Sequence, residues 1–216
     1  MEVKIKKYSP ALKFDFLTSL YDFLIKITMP ENLFKNTLIE QANIQASYKV
    51  LDFGCGTGTL LMMAKIKNPA AEIIGVDIDE KIIRIAKKKI ANHQVDIEID
   101  KYDGNILPYE KESFDRVIST LVFHHLTKEQ KENILKELYR VLKPNEEIHI
   151  ADFGKPRNKI MKIVSYLLQL FGEPITDNIK GLIPCYLNAN GFFDVKENKY
   201  YNTLFGTISL YSARKP

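Results

Sequence analysis

The sequence is poor in cysteine and contains no long hydrophobic run. Cys55 and Cys185 are the only cysteines in 216 residues. Neither belongs to a Cys-x-x-Cys pair or a Cys/His cluster, which argues against a metal site and against a disulfide framework. The apolar stretches are too short, or too interrupted by charge, to cross a bilayer, and the N-terminal MEVKIKKYSP lacks the apolar core of a signal peptide. We therefore expect a cytoplasmic protein without metal and without stable membrane insertion.

The sequence also lacks a dense cluster of like charges. The formal net charge is +4, and the one short basic run is Lys87-Lys88-Lys89. Proteins that bind nucleic acids usually carry a denser positive face, so we expect no nucleic-acid partner and interpret the run as a solvated helix face. With 45% hydrophobic residues, a chain of this length can bury the core of one large domain.

Strand and helix patterns alternate through the middle of the chain. Apolar strands are predicted at 48–53, 72–77, 95–100, 114–120 and 147–153, with helical periodicity between most of them. In the helix predicted at 128–141, Thr127 and Gln130 fit a capping box. Such alternation predicts an α/β fold, Rossmann-like and doubly wound, with a mostly parallel seven-stranded sheet and helices on both faces. Segments 192–200 and 204–212 are expected to add an antiparallel C-terminal strand pair.

A glycine-rich loop follows the first predicted strand in VLDFGCGTGTL, residues 50–60. Its glycines could form a tight turn, or they could let a ligand approach the main chain closely. The spacing is G-x-G-x-G, which is neither the dinucleotide pattern G-x-G-x-x-G nor a P-loop. In open α/β sheets, ligands bind at the carboxyl ends of the strands, which favours a ligand here.

Two carboxylates follow the next two predicted strands. Asp77 lies 21 residues after Gly56 and could accept hydrogen bonds from two ribose hydroxyls. The alternative is a helix cap, for which Asp79 is better placed. Asp103, in YDGNILP, could accept from an adenine amino group, or it could form an Asx turn before Pro108.

In order and spacing, VLDFGCGTG, GVDID, DGNILPYEKESFDRVIST, FHHL and LYRVLKPNEEIHIAD resemble the class I S-adenosylmethionine-dependent methyltransferases. The similarity is greatest to the small-molecule branch of ubiquinone and menaquinone biosynthesis. One departure is KPNEE, where the family usually has a Pro-Gly turn; Asn145 tolerates the left-handed conformation that such a turn needs.

The resemblance implies S-adenosyl-L-methionine as cofactor and assigns residues to it. The methionine part is expected to face Asp52 and the main chain of Gly54, Cys55 and Gly56. The ribose goes to Asp77, the adenine ring to Ile78, and the adenine edge to Asp103 and Gly104, with Thr120 below the cofactor. The Cys55 side chain is expected to pack in the core, because no base neighbours it in sequence. The domain then divides into a helical cap (1–45), a cofactor-binding core (46–153), a helical insertion or lid (154–190) and the strand pair (191–216).

The residues that would contact the acceptor of the methyl group are less well determined. His124 or His125 could deprotonate an acceptor, or both could pack in the loop and cap the next helix, so no catalytic residue is assigned. Phe123 could cover the acceptor or belong to the core, and Tyr21 is placed near the methionine end. The aromatic helix predicted at 12–28 and the insertion suggest a small, apolar or aromatic acceptor.

Two alternative functions stay open, a cofactor-binding protein without turnover and an NAD-type oxidoreductase. The sequence does not determine the oligomeric state.

Overall fold

The computed structural model describes residues 31–93, 95–170 and 175–216, with side chains described through Leu167 in the second range. The helix predicted at 12–28 and Tyr21 lie outside these residues. The helices are α1 (Glu31–Ala42), α2 (Thr59–Lys67), α3 (Glu80–His93), α4 (Lys128–Val141), α5 (Lys159–Leu170), α6 (Thr176–Ile179) and α7 (Ile183–Ala189). The strands are β1 (Lys49–Phe53), β2 (Glu72–Asp77), β3 (Glu98–Lys101), β4 (Phe114–Thr120), β5 (Leu142–Phe153), β6 (Phe193–Thr203) and β7 (Gly206–Arg214).

The strands of the described residues form one seven-stranded sheet in the order β3-β2-β1-β4-β5-β7-β6. Strands β1 to β5 pair in parallel, and β7 pairs antiparallel with both β5 and β6. This confirms the predicted fold class and the C-terminal strand pair. The order reverses between β1 and β4, and at such a switch point the loops leaving the two strands separate and open a crevice at their carboxyl ends.

Helices cover the sheet on both faces, because successive strand residues point to opposite sides. Val50 and Ile73 belong to the core beneath α1, α2 and α3. Their neighbours Leu51 and Ile74 belong to the core beneath α4 and α7. No helix in the described parts of the chain combines the length and the apolar character of a membrane span.

The largest boundary difference is at β5, which begins at Leu142 and not at the predicted 147. The helix prediction for 128–141 is correct, and Thr127 and Gln130 form the predicted capping box. The chain passes directly into β5 because Leu142 already pairs with Phe114 of β4. Asn145 then adopts φ 66°, and its amide donates to Lys215 O over 2.9 Å. A further difference is that β3 occupies Glu98–Lys101 and not 95–100. Its pairing with Ile74 to Asp77 fixes those limits.

Candidate cofactor and acceptor site

The glycine loop connects β1 to α2 in a left-handed backbone path. Gly54, Gly56 and Gly58 have φ of 67°, 54° and 74°, values that glycine adopts at little cost. A Cβ atom at Gly54 would lie 2.4 Å from Val122, whereas a Cβ atom at Gly56 would meet nothing within 4 Å. The first glycine is therefore required by packing against the loop after β4. The second leaves the main chain accessible to a ligand.

Asp77, the last residue of β2, holds this loop in place. Its Oδ2 accepts from the Gly56 amide over 2.9 Å, and its Oδ1 accepts from the Asp79 amide over 3.0 Å. Asp79 caps α3 by accepting from the Lys81 amide over 2.8 Å, as expected. Each Asp77 oxygen retains acceptor capacity after one hydrogen bond, and the side chain is only half-buried. This carboxylate can therefore orient the loop and accept hydroxyl groups from a ligand at the same time.

Asp52 in β1 carries a buried carboxylate. The side chain is 1% exposed, and neither carboxylate oxygen has a hydrogen-bond partner among the described residues. Burial raises the pKa of Asp52 to about 7 and neighbouring Asp77 adds to the rise, whereas the Lys35 ammonium and the Leu61 main-chain amide act in the opposite direction. Buried polar groups are nearly always hydrogen-bonded. An orphaned carboxylate next to an accessible loop fits a ligand that brings its own donor, such as an ammonium group.

The residues expected around an adenine lie at the ends of β2 and β3. Ile78 is half-exposed, and its Cδ1 would lie 3.0 Å from a Cβ atom at Gly104, whose φ is 91°. Asp103 is exposed, and its Oδ1 accepts from the amides of Asn105 and Ile106 over 2.8 and 3.0 Å. Asp103 can therefore form the Asx turn and bind an adenine amino group at the same time, since the turn engages one oxygen and leaves the other available.

Two further residues of the cofactor set have clear placements. Thr120 is half-buried at the carboxyl end of β4 and, by the β1–β4 register, on the same face of the sheet as Asp52. The Cys55 side chain is 6% exposed and packs over Gly75, where a Cβ atom would lie 2.9 Å from its sulfur. Burial raises the pKa of the Cys55 thiol, so the structure supports a packing role for this side chain.

A second polar cluster lies at the carboxyl end of β5 and centres on Asp152. This carboxylate is completely buried and accepts from the Phe123 amide over 2.7 Å and from Asn178 Nδ2 over 3.1 Å. His124, itself 5% exposed, places Nδ1 2.9 Å from Asp152 Oδ1. Sequence reasoning missed Asp152 and Asn178. The position of Asp152 just after the apolar run of β5 was the available signal.

The structure distinguishes the two adjacent histidines. Their rings lie 3.9 Å apart, but only His124 has the carboxylate partner among the described residues. His125 is more exposed than His124. The chain around its ring still excludes enough water to lower its pKa, and the neighbouring His124 lowers it further. The cap of α4 is Thr127 and neither histidine. Phe123 is 1% exposed and lies 6.1 Å from Phe53 between ring centroids, a placement that favours its core interpretation.

Across the described ranges, no group of three or more His, Cys, Asp or Glu residues could hold a metal ion. The two clusters, around Asp52 and around Asp152, follow strands on either side of β4. One offers an accessible main chain with an orphaned carboxylate. The other offers an imidazole oriented by a carboxylate. The first suits binding of a positively charged ligand, and the second suits a reaction that needs a base.

Comparison with known proteins agrees with this geometry. A family described as "Methyltransferase domain" matches residues 50–145. The chain is 35% identical over 136 residues to a demethylmenaquinone methyltransferase of Lactobacillus johnsonii, covering 62% of this chain and 55% of that protein. It is 28% identical over 170 residues to a ubiquinone/menaquinone biosynthesis C-methyltransferase of Wigglesworthia glossinidia brevipalpis, covering 77% of this chain and 65% of that one. The chain thus spans less than two thirds of the length of either relative.

Among solved structures, a phosphoethanolamine N-methyltransferase of Haemonchus contortus superposes with a TM-score of 0.70 at 15% sequence identity. That structure contains S-adenosylhomocysteine, and the match covers 84% of this chain and 52% of the other. At this identity the superposition is evidence for a shared fold.

Proposed function

The chain belongs to the class I S-adenosylmethionine-dependent methyltransferase family, and on that premise we propose that it methylates a ring carbon of a small, largely apolar aromatic acceptor of the quinol type. The observation that carries this proposal is the presence of two groups at the carboxyl ends of the strands. One is the buried Asp52, which lacks a hydrogen-bond partner among the described residues and lies beside the open glycine loop, and the other is His124, which a carboxylate orients. The first serves a cofactor and the second serves an acceptor.

The residues at the glycine loop fit S-adenosylmethionine. Asp52 supplies a buried negative charge for the ammonium of the methionine part, and Asp77 supplies acceptors for the ribose hydroxyls. Ile78 and Gly104 form a flat apolar contact for the adenine. When bound, the cofactor supplies an electrophilic methyl group on a positively charged sulfur, while the protein contributes proximity and alignment.

The quinol-type acceptor is supported by the names of the relatives, one of which acts in menaquinone formation and another as a C-methyltransferase of ubiquinone and menaquinone biosynthesis. An aromatic carbon becomes nucleophilic when a hydroxyl on the same ring loses its proton. Ring methylation would then form a carbon–carbon bond, with the bond between sulfur and the methyl group broken and S-adenosylhomocysteine as the leaving group, and the ring carbon would release its proton. Such a reaction needs a base for the hydroxyl, and the chain offers one.

We assign that base to His124. Its Nδ1 is engaged with Asp152 over 2.9 Å, which leaves Nε2 as the ring nitrogen for an acceptor proton. Asp152 is fixed by main-chain amides and by Asn178, so it orients the imidazole. A base held in this way contributes typically about 10²- to 10⁴-fold to a rate.

The test is methyl transfer from radiolabelled S-adenosylmethionine to a demethylmenaquinone-type hydroquinone with a short side chain. The proposal predicts a ring-methylated product and stoichiometric S-adenosylhomocysteine. Cofactor binding without transfer to any of a panel of hydroquinones and phenols would favour the alternative of a binding protein without turnover. Transfer to oxygen or nitrogen acceptors alone would retain the enzyme class and overturn the acceptor assignment.

A further inference from the structure

Helix α5 presents an apolar face that the described residues of the chain leave exposed. The helix packs by Met161 and Ser165, which are 7% and 2% exposed. On the opposite side, Ile160 and Ile163 are 67% and 61% exposed, and Leu167 is 46% exposed. Their spacing of three and four residues places them in one stripe along the helix. Isolated exposed apolar residues are common, but a continuous stripe of them marks an interaction surface.

The charge around this stripe has one sign. Between Lys155 and Leu170 the sequence contains four basic residues and neither aspartate nor glutamate. Arg157 is paired with Glu197, while Lys155, Lys159 and Lys162 make no ion pair with any described residue. An apolar stripe flanked by free lysines is typical of helices that lie in the interface of an anionic bilayer.

Helix α5 adjoins the acceptor side of the site through its buried face. The Phe153 ring lies 4.9 Å from His124 between centroids. The same ring would lie 3.5 Å from a Cβ atom at Gly206, and Ser165 Oγ of α5 would lie 3.8 Å from that atom. Helix α5, the β6–β7 turn and His124 are therefore connected through Phe153. The β6–β7 turn adds Leu204, which is 66% exposed.

We propose that the stripe Ile160, Ile163 and Leu167, with Lys159 and Lys162, docks this protein on an anionic lipid surface. A second copy of the chain is a poorer occupant, because a symmetric contact would bring two sets of uncompensated lysines together. The surface extends the proposed function, since an apolar acceptor would be held in the bilayer that the helix contacts. Docking itself requires neither cofactor nor acceptor.

The experiment is sedimentation of the full-length protein with vesicles of equal parts phosphatidylcholine and phosphatidylglycerol, and with phosphatidylcholine vesicles alone. We expect binding to the mixed vesicles that weakens with salt. The double variant K159Q/K162Q should bind roughly thirtyfold less, from the contribution of two lysines near an anionic surface. The matched control K87Q/K88Q, on the exposed side of α3, removes the same charge and should bind like wild type. Equal loss in both variants would overturn the proposal in favour of diffuse charge attraction.

The apolar part is tested by I163Q/L167Q, with I66Q/I85Q as the matched control on exposed positions of α2 and α3. The first pair should reduce vesicle binding at least about tenfold, because two aliphatic side chains no longer insert, and the control should not. If wild type fails to bind mixed vesicles, or if I163Q/L167Q converts a dimer to a monomer in analytical ultracentrifugation, the lipid assignment is wrong. Methyl transfer by wild type to a short-chain, water-dissolved hydroquinone is measured separately. Absence of that activity would count against the proposed function, and not against docking.

Discussion

Asp52 and Asp152 are both buried aspartates of strands that flank β4, yet their surroundings are opposite. Asp52 is 1% exposed and its two oxygens lack a hydrogen-bond partner in the described parts of the chain. Asp152 is 0% exposed and accepts from main-chain amides, from His124 and from Asn178. A carboxylate with several hydrogen-bond partners fixes the groups around it. A buried carboxylate without a partner lowers the stability of the folded protein until a ligand supplies a donor. Under the proposed function, Asp152 is a positioning residue and Asp52 is a binding residue.

The largest effect on activity is expected from replacing His124, the imidazole that Asp152 orients. The variant His124→Asn keeps a donor near the position of Nδ1 and removes Nε2, so the contact with Asp152 can persist while the base is lost. We expect kcat to fall about 10²- to 10⁴-fold, with S-adenosylhomocysteine binding unchanged. The measurement is steady-state methyl transfer.

The matched control is His125→Asn, which removes the neighbouring imidazole without touching Asp152. It should keep most of the activity. If the two variants lose activity equally, or if His125→Asn loses more, the assignment of the base to His124 is incorrect.

A smaller effect is expected at Asp77, whose carboxylate holds the glycine loop and is proposed to bind the ribose. Asp77→Ala removes a charged acceptor for two hydroxyls, and hydrogen bonds to charged groups contribute about 1.5–3 kcal/mol each. Cofactor affinity should fall at least tenfold by calorimetric titration. Asp79→Ala, which removes the cap of α3, should lower thermal stability and leave affinity nearly unchanged; unaltered affinity in Asp77→Ala would contradict the ribose assignment.

The smallest effect is a gain in stability at Asp52. Because the pKa of Asp52 is about 7 in the folded protein and 3.8 ordinarily, the folded state keeps its proton to a higher pH than the unfolded chain. Wild type should therefore lose stability as pH rises from about 4 to 7. Asp52→Asn should be more stable than wild type at pH 8, by about 1–3 kcal/mol, and the difference should vanish near pH 4. Chemical denaturation at both pH values measures it; a less stable Asp52→Asn at pH 8 would show that the carboxylate is compensated.

Local patterns were sufficient for much of the fold. The limits of β2, β4 and α4 were predicted correctly because apolar runs and the Thr127 capping box are local signals. The conformation of Asn145 also followed from its residue type. The start of β5 at Leu142 was not predicted, because it depends on pairing with Phe114 of β4 and, three residues later, on the contact of Asn145 with Lys215 from the far end of the chain.

The two halves of the site differ in the same way. The Gly54 to Gly56 loop and Asp77 were predictable, since a continuous motif and a strand end define them. The role of Asp152 depends on His124 and Asn178, which come from the loop after β4 and from α6. No sequence spacing relates these three residues, so their association was visible only in three dimensions. The orphaned state of Asp52 is likewise a property of the packed interior.

The most direct test is calorimetric titration of S-adenosylhomocysteine into wild type, Asp52→Asn and Asp152→Asn, each checked for folding by circular dichroism, with His124→Asn as a second variant on the acceptor side. The account predicts tight binding by wild type, at least about tenfold weaker binding by Asp52→Asn because the partner of the ligand ammonium is lost, and wild-type affinity for Asp152→Asn and His124→Asn. Unchanged affinity in Asp52→Asn, together with lost affinity in both acceptor-side variants, would contradict it.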